Sequence, residues 1–363
     1  FELSNKIIYI FYLLFLYNSR STYLIEVFFI TMTMLYFLGA LNGGLNKDFL
    51  VSYSRFLVGF SVFLLLYFYN NISIKDLKKV FYIFLYASLI PIGIAWLQYF
   101  GIYPYTYFDY LEGNVIVGRA SGGYFQPNSL TRILLFLLLL IYISQNHFIS
   151  KKWLKYAIVV LLFFTTIISG HRTSLIIFII LFLSYELVFK QNLLSRICKV
   201  YISGFLAALL GLIIETDKFN SMLLYIDIYY STFSELVHGN SSLRGREGIW
   251  SQVLSYLSQQ DFISWLVGIG FPPFEAHNDF LRVLMVNGWL GILVQYSFIM
   301  YVYFFTKSRI SKEGQKSLKM LYIYFLIFSI TLQPTEYPFF MWLFGLTLIF
   351  ILVFFKKEIK LVN

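Results

Sequence analysis

Three short polar stretches in an otherwise apolar chain hold residue types that do chemistry. Ser169-Gly170-His171-Arg172-Thr173-Ser174 separates two apolar runs. Leu243-Arg244-Gly245-Arg246-Glu247-Gly248-Ile249-Trp250 lies inside a long polar interval, 215–278, and Glu275-Ala276-His277-Asn278-Asp279-Phe280 closes it. Arginine presents a planar fork that grips phosphate oxygens with two bonds and does not lose its proton. A neutral histidine at a membrane surface can act as a general base near physiological pH. Two arginines and a histidine gathered where the hydrophobic pattern stops point to a reaction site at a bilayer surface.

Each stretch also has a plainer explanation. In the first, Thr173 or Ser174 is expected to cap the following helix, and a helix N-terminus favours an anion. Arg172 is the candidate ligand there rather than His171, against the alternative of an arginine snorkelling beside an ordinary turn. In the second, Arg246 precedes Trp250 by one helical turn, so both can share a face. The alternative is a solvated loop with an aromatic anchor. Arg246 is the stronger candidate and Arg244 the weaker. In the third, Asn278 or Asp279 is expected to cap the next helix. His277 is then either a general base or a loop histidine with a structural hydrogen bond. A fourth stretch, Gly118-Arg119-Ala120-Ser121-Gly122-Gly123-Tyr124-Phe125-Gln126-Pro127-Asn128, is glycine-rich but lacks the full dinucleotide fingerprint, leaving Arg119 as an extra anion ligand. No metal site is expected: the four histidines are scattered, HExxH is missing, and the acids Asp217, Asp227 and Asp261 show no ligand spacing.

The elements that must position these residues are membrane helices. Hydrophobic residues make up 59% of the 363 and charged ones 13%, against roughly 25% charged in a soluble domain. Apolar runs near the bilayer-spanning length recur, which predicts an all-α, polytopic helical bundle and not a membrane β-barrel. The spans are read at about 6–17, 23–41, 49–70, 80–100, 129–143, 154–169, 173–189, 199–214, 289–306, 318–333 and 338–355. The apolar segment 7–17 lacks a small-residue cleavage site and is not read as a signal peptide. The formal charge of +10 does not imply nucleic acid, because most lysines fall in short inter-helix loops, the positive-inside pattern. Loops 71–79, 144–155, 190–198 and 307–317 and the tail are therefore assigned to the cytoplasm. Segment 129–143 must then cross, although its length alone would allow a re-entrant turn. The other side receives 42–48, 101–128, the turn near 169–172, the long loop 215–278 and 334–337. Seven of the ten arginines, Arg55, Arg119, Arg132, Arg172, Arg244, Arg246 and Arg282, fall on or near that outer side, whereas only Lys47 and Lys218 of the eighteen lysines clearly do. Topology needs only positive charge, so this excess of arginine points to a bound anion such as a diphosphate. The single Cys198 excludes intrachain disulfides, and no phosphate-binding GxxxxGK[ST] loop is present.

Taken together, these motifs resemble the O-antigen ligase and polymerase superfamily of bacterial surface-polysaccharide assembly (the Wzy and WaaL types). The resemblance runs from about Gly118 to Phe305. It rests on Arg119 through Asn128, Ser169-Gly170-His171-Arg172, Gly245-Arg246 with Ile249-Trp250, Gly268-Ile269-Gly270, and Ala276 through Leu281 followed by Gly288 and Gly291. It implies a GT-C-like bundle of about 11–12 transmembrane helices, forming a single membrane domain with 215–278 as a long periplasmic or extracellular loop. It also implies an inverting glycosyltransferase that needs no cofactor, in the bacterial inner membrane with its site facing outward. The partners implied are an undecaprenyl-diphosphate-linked glycan donor, a glycan acceptor and the lipid bilayer, with a chain-length regulator protein as an optional further partner. His277 becomes the catalytic base, Arg172 and Arg246 diphosphate ligands that stabilise the leaving group, and Arg244 and Arg119 supporting ligands.

Within that class a polymerase extends a lipid-linked repeat unit, and a ligase transfers the glycan to lipid A-core. A protein-glycosylating relative is a third option. The short outer loop at 334–337 favours the polymerase. From another class, a lipid-linked oligosaccharide flippase or other transporter would place ionisable groups near mid-membrane, on broken helices in repeated halves.

Overall fold

A computed structural model describes residues 23–106, 108–110, 116–144, 148–149, 151–189 and 246–356. The expected spans at 6–17 and 199–214 and the first part of the loop 215–278, residues 215–245 with Arg244, lie outside the described residues. The described residues are mostly helical, with one antiparallel ribbon among them, β1 (Phe108–Tyr110) and β2 (Ile116–Gly118). In chain order the helices are α1 (Tyr23–Gly43), α2 (Lys47–Phe60), α3 (Ile74–Tyr99), α4 (Pro127–Ile143), α5 (Lys152–Ile168), α6 (Arg172–Phe189), α7 (Arg246–Ser258), α8 (Phe262–Val267), α9 (Asp279–Arg309), α10 (Lys312–Thr331) and α11 (Pro338–Phe354). Among the described residues, four helical stretches are long and apolar enough to cross a membrane: Tyr23–Gly43, Lys47–Tyr67, Ile74–Tyr99 and Asp279–Arg309.

Local chemistry explains several boundaries. The Asn46 side chain accepts the Phe49 N–H at 2.8 Å and starts α2, which tightens into a 3₁₀ helix over Ser61–Tyr67. At the start of α3, the Ser73 hydroxyl accepts the Asp76 N–H while the Asp76 carboxylate accepts the Ser73 N–H, each at 3.2 Å. This capping box starts the helix six residues before the apolar run does. The expected loop 215–278 is not loop throughout, since 246–278 contains α7 and α8.

The chain folds as two compact units. The second comprises 72–248, 309–331 and 346–363. Its centre is α4, where every residue from Leu130 to Ile143 is buried, packed on α3, α5, α6 and α10. A helix that is apolar all round finds partners on all sides, so α4 needs no lipid-facing stripe. Its 17 residues rise about 25 Å, somewhat less than a hydrocarbon core of about 30 Å.

The first unit comprises 1–71, 249–308 and 332–345. An aromatic core joins α1, α2 and α9, with the Phe28 and Phe298 rings stacked at 3.8 Å and Phe56, Phe60 and Phe63 around them. Helix α7 docks through Val253 and Leu257 on Ala276, Leu284 and Met285. Asp261 caps α8 by accepting the Ser264 N–H at 2.8 Å. That bond, with the Ser264 hydroxyl, holds the Asp261 carboxyl below the usual carboxylate range.

Helix α9 is broken at Gly288 (φ 63°, ψ −166°). The break leaves the Met285 and Val286 carbonyls without the helical N–H groups that would normally meet them. Ile269 and Gly270 supply replacements: their N–H groups donate to Met285 and Val286 at 3.0 and 2.8 Å. Non-helical backbone at membrane depth is tolerated where protein satisfies it in this way. Gly268 (φ 77°) faces the break. A β-carbon on Gly268 would overlap the Val286 carbonyl, and one on Gly288 the Leu266 carbonyl. Both glycines hold dihedrals open almost only to glycine, where other residues cost about 1–3 kcal/mol. Gly288→Ala is therefore expected to lower the thermal midpoint of the purified protein by several degrees. An unchanged midpoint would show that the two segments separate freely.

Candidate functional site

His277 lies between α8 and α9, in the first unit. Asn278 caps α9 by accepting the Leu281 N–H at 3.1 Å. Of the two caps the sequence allows, Asn278 is the one used, and Asp279 turns inward. The chain enters this cap through His277 in the left-handed region, φ 47°, alone among the described non-glycine residues. Histidine, asparagine and aspartate enter that region more readily than most side chains. Only one orientation of the Gln333 amide satisfies its surroundings: its oxygen accepts the Ala276 and His277 N–H groups, each at 2.8 Å, and its nitrogen donates to Glu336. Gln333 thus fixes the backbone that presents the imidazole. The side chain is 38% exposed, and its Nε2 lies 3.6 Å from a Glu275 carboxylate oxygen.

Beneath His277 lies a closed polar hub. Asp279 is fully buried and accepts from the Thr335 hydroxyl at 2.7 Å, the Tyr296 hydroxyl at 2.9 Å and Arg282 Nε at 3.3 Å. Arg282 donates in turn to Thr335 Oγ1 at 2.6 Å, and Gln295 to the same oxygen at 3.3 Å. Arg282, one of the arginines expected to serve an outer anion, is buried and paired with a carboxylate one turn away. It holds the start of α9 against the 333–336 turn.

Beside the hub, a cleft of about 270 Å³ opens among α2, the 272–275 segment and the same turn. Asp48, Arg55, Glu275, Gln333 and Glu336 line it with Phe274. Arg55 forms an ion pair with Glu336 across it.

In the second unit, Arg172 is the first residue of α6. The cap is neither Thr173 nor Ser174, as the sequence suggested. His171 precedes the helix, and its Nδ1 accepts the Ser174 N–H at 3.3 Å and lies 2.6 Å from the Ser174 hydroxyl. The ring thus takes the role usually played by a serine or aspartate oxygen. Arg119 Nε and Nη2 donate to the Ser169 and Gly170 carbonyls at 3.0 and 2.8 Å, at the end of α5 where helix carbonyls lack partners. Arg119 therefore anchors the turn that leads into Arg172. Hydrogen bonds from a charged donor are worth about 1.5–3 kcal/mol, so Arg119→Met is expected to lower the thermal midpoint as well as activity. Lost activity with an unchanged midpoint would instead make Arg119 a ligand only. Arg246 opens α7, one turn before Trp250, as the spacing predicted. The side chains of Arg172 and Arg246 lie outside the described residues.

The residues that sequence reasoning missed are Gln333, Thr335 and Glu336, with Asp48 on the cleft; Glu275 was noted only as part of the His277 stretch, and Arg55, counted with the arginines for an outer anion, pairs instead with Glu336. One signal was present: Gln333-Pro334-Thr335-Glu336 sets polar residues between two apolar runs, on the side already assigned to the long loop. Among the described residues, no group of three or more His, Cys, Asp or Glu side chains could hold a metal ion. No known protein-family profile matches the chain, and no curated protein matches it.

Proposed function

We propose that this protein is a membrane glycosyltransferase that polymerises polyprenyl-diphosphate-linked oligosaccharide repeat units on the outer face of the inner membrane, yielding an O-antigen or capsular polysaccharide. The observation that carries this reading is the presentation of His277. It is a partly exposed imidazole on a strained backbone that Gln333 holds in place, ahead of a capped helix, with a carboxylate beside Nε2. Strain of this kind persists only where the surroundings over-determine it, and it concentrates at functional sites. In the proposed reaction His277 takes the proton of the acceptor hydroxyl, whose oxygen attacks the anomeric carbon of the donor. The carbon–oxygen bond to the diphosphate breaks, and its electron pair leaves with the diphosphate. Arg172 and Arg246, with Arg244 in support, stabilise that growing charge, the role of preorganised electrostatics. Inversion at the anomeric carbon follows from a single displacement.

Transport of a lipid-linked oligosaccharide is the second reading. The broken helix α9 and the buried Asp279–Arg282 pair favour it, since transporters place such groups on discontinuous helices. The sequence, however, carries no repeated halves. Reconstitution into vesicles with a labelled polyprenyl-diphosphate glycan separates the two. A new glycosidic bond supports the transferase, and glycan crossing the bilayer without one supports transport. A product that forms only after lipid A-core is added would make the protein a ligase.

A further inference from the structure

We propose that the cleft lined by Asp48, Arg55, Glu275 and Glu336 binds a single pyranose ring, neutral or amine-bearing, and that this ring is the acceptor end of the growing glycan. The word "acceptor" rests on the glycosyltransferase reading; the binding site itself does not.

Size comes first. Pockets for small ligands usually measure roughly 300–1,000 Å³, and about 270 Å³ has room for one sugar ring but not for an oligosaccharide. The lining matches a polyol. Asp48, Glu275 and Glu336 offer carboxylate oxygens to hydroxyl donors, and Arg55 offers guanidinium donors to ring and hydroxyl oxygens. Phe274 adds an aromatic surface to the wall, suited to the C–H face of a pyranose. Charge then selects among sugars. Three carboxylates face one guanidinium, and Glu336 already pairs with that guanidinium. A uronic acid or a phosphate would meet like charge here, while a hydroxyl or an ammonium would not. A diphosphate is excluded on the same ground, so the donor's leaving group belongs to the arginines and not to this cleft.

The cleft also adjoins the proposed base. Glu275 lines it and sits 3.6 Å from His277 Nε2, so a ring hydroxyl reaching Glu275 lies close to the imidazole. Gln333 lines the cleft while holding the His277 backbone. An occupant of the cleft therefore touches both residues that set the position of His277.

The test uses the full chain in phosphatidylcholine nanodiscs, free of sugar-based detergent. Saturation-transfer NMR reads binding of methyl glucoside, methyl glucosaminide and methyl glucuronide. The first two are expected to bind, and the glucuronide at least about tenfold more weakly because of like-charge contact. Val51 lines the cleft from a solvent-accessible position, so Val51→Trp fills the space without disturbing the core and should abolish transfer to both bound sugars. Asp48→Asn, also exposed, should narrow the discrimination against glucuronide and serves as the second variant. Failure of every pyranoside to bind, equal binding of glucuronide, or unchanged binding in Val51→Trp would overturn the proposal. The two levels separate cleanly. Sugars that bind while no glycosidic bond ever forms would sink the transferase and leave the cleft. Polymer formed with an unaltered acceptor KM in Val51→Trp would sink the cleft and leave the transferase.

Discussion

His277→Asn is expected to leave the protein folded and inserted while cutting chain formation by roughly 10²–10⁴-fold, the usual contribution of a general base. Asparagine is the informative substitution because of the backbone. At φ 47° a residue without a short polar side chain costs about 1–2 kcal/mol, so His277→Ala removes the imidazole and adds strain together. Asparagine tolerates the left-handed region and keeps the N–H that Gln333 accepts, but it has no basic nitrogen. Both variants should therefore lose activity, and only the alanine should lose thermal stability as well. Measuring product formation and the melting midpoint on the same preparations separates chemistry from strain. Full activity in His277→Asn would remove His277 from the mechanism.

Asp279→Ala is expected to destabilise the protein by about 3–5 kcal/mol, the usual cost of leaving one member of a buried ion pair uncompensated. The carboxylate serves Arg282, Thr335 and Tyr296 at once. Its loss strands a guanidinium that is itself only 3% exposed. The double variant Asp279→Leu with Arg282→Met removes both charges and should recover most of the loss, because a well-packed apolar pair is often neutral against a buried salt bridge. Denaturation of wild type, single and double variants completes the cycle. A single variant within about 1 kcal/mol of wild type, the scale of a surface pair, would show that water reaches the hub. Because the hub joins the start of α9 to the 333–336 turn, the single variant should also loosen Gln333 and lower activity.

Much of the scaffold is legible in the hydrophobic pattern. The apolar runs read at 23–41, 129–143, 154–169, 173–189 and 338–355 differ from the helices by a few residues, because side chains suited to lipid or to an apolar core define them directly. The start of α3 is displaced because Ser73 and Asp76 set it, and a capping box need not coincide with the first apolar residue. Helix α7 was partly legible: the Arg246–Trp250 spacing suggested a turn, but its docking through Val253 and Leu257 depends on partners from 276–285. The break at Gly288 follows from residues twenty positions earlier, since Gly268 through Gly270 supply both the room and the replacement hydrogen bonds.

The site divides in the same way. His277 stood out by residue type and by its place before a cap. Arg282 stood out as well, but as an outer anion ligand, because sequence does not show that Asp279 turns inward to meet it. Gln333, Thr335 and Glu336 looked like a minimal connection between helices. Their importance lies in what they touch, and tertiary contact is the part of the argument that a single sequence does not carry. Arg119 shows the converse case, a residue selected for its charge that is engaged with the backbone carbonyls of a helix end.

The most direct measurement of polymerase activity is a single-component reaction: the purified full chain in micelles, supplied only with polyprenyl-diphosphate-linked repeat units. Micelles have no second compartment, so transport cannot contribute to the readout. The expected result is a ladder of products that grows by whole repeat units, release of polyprenyl diphosphate in step with each addition, and a new linkage of inverted anomeric configuration. Intact donor after prolonged incubation, with and without added lipid A-core, would contradict it.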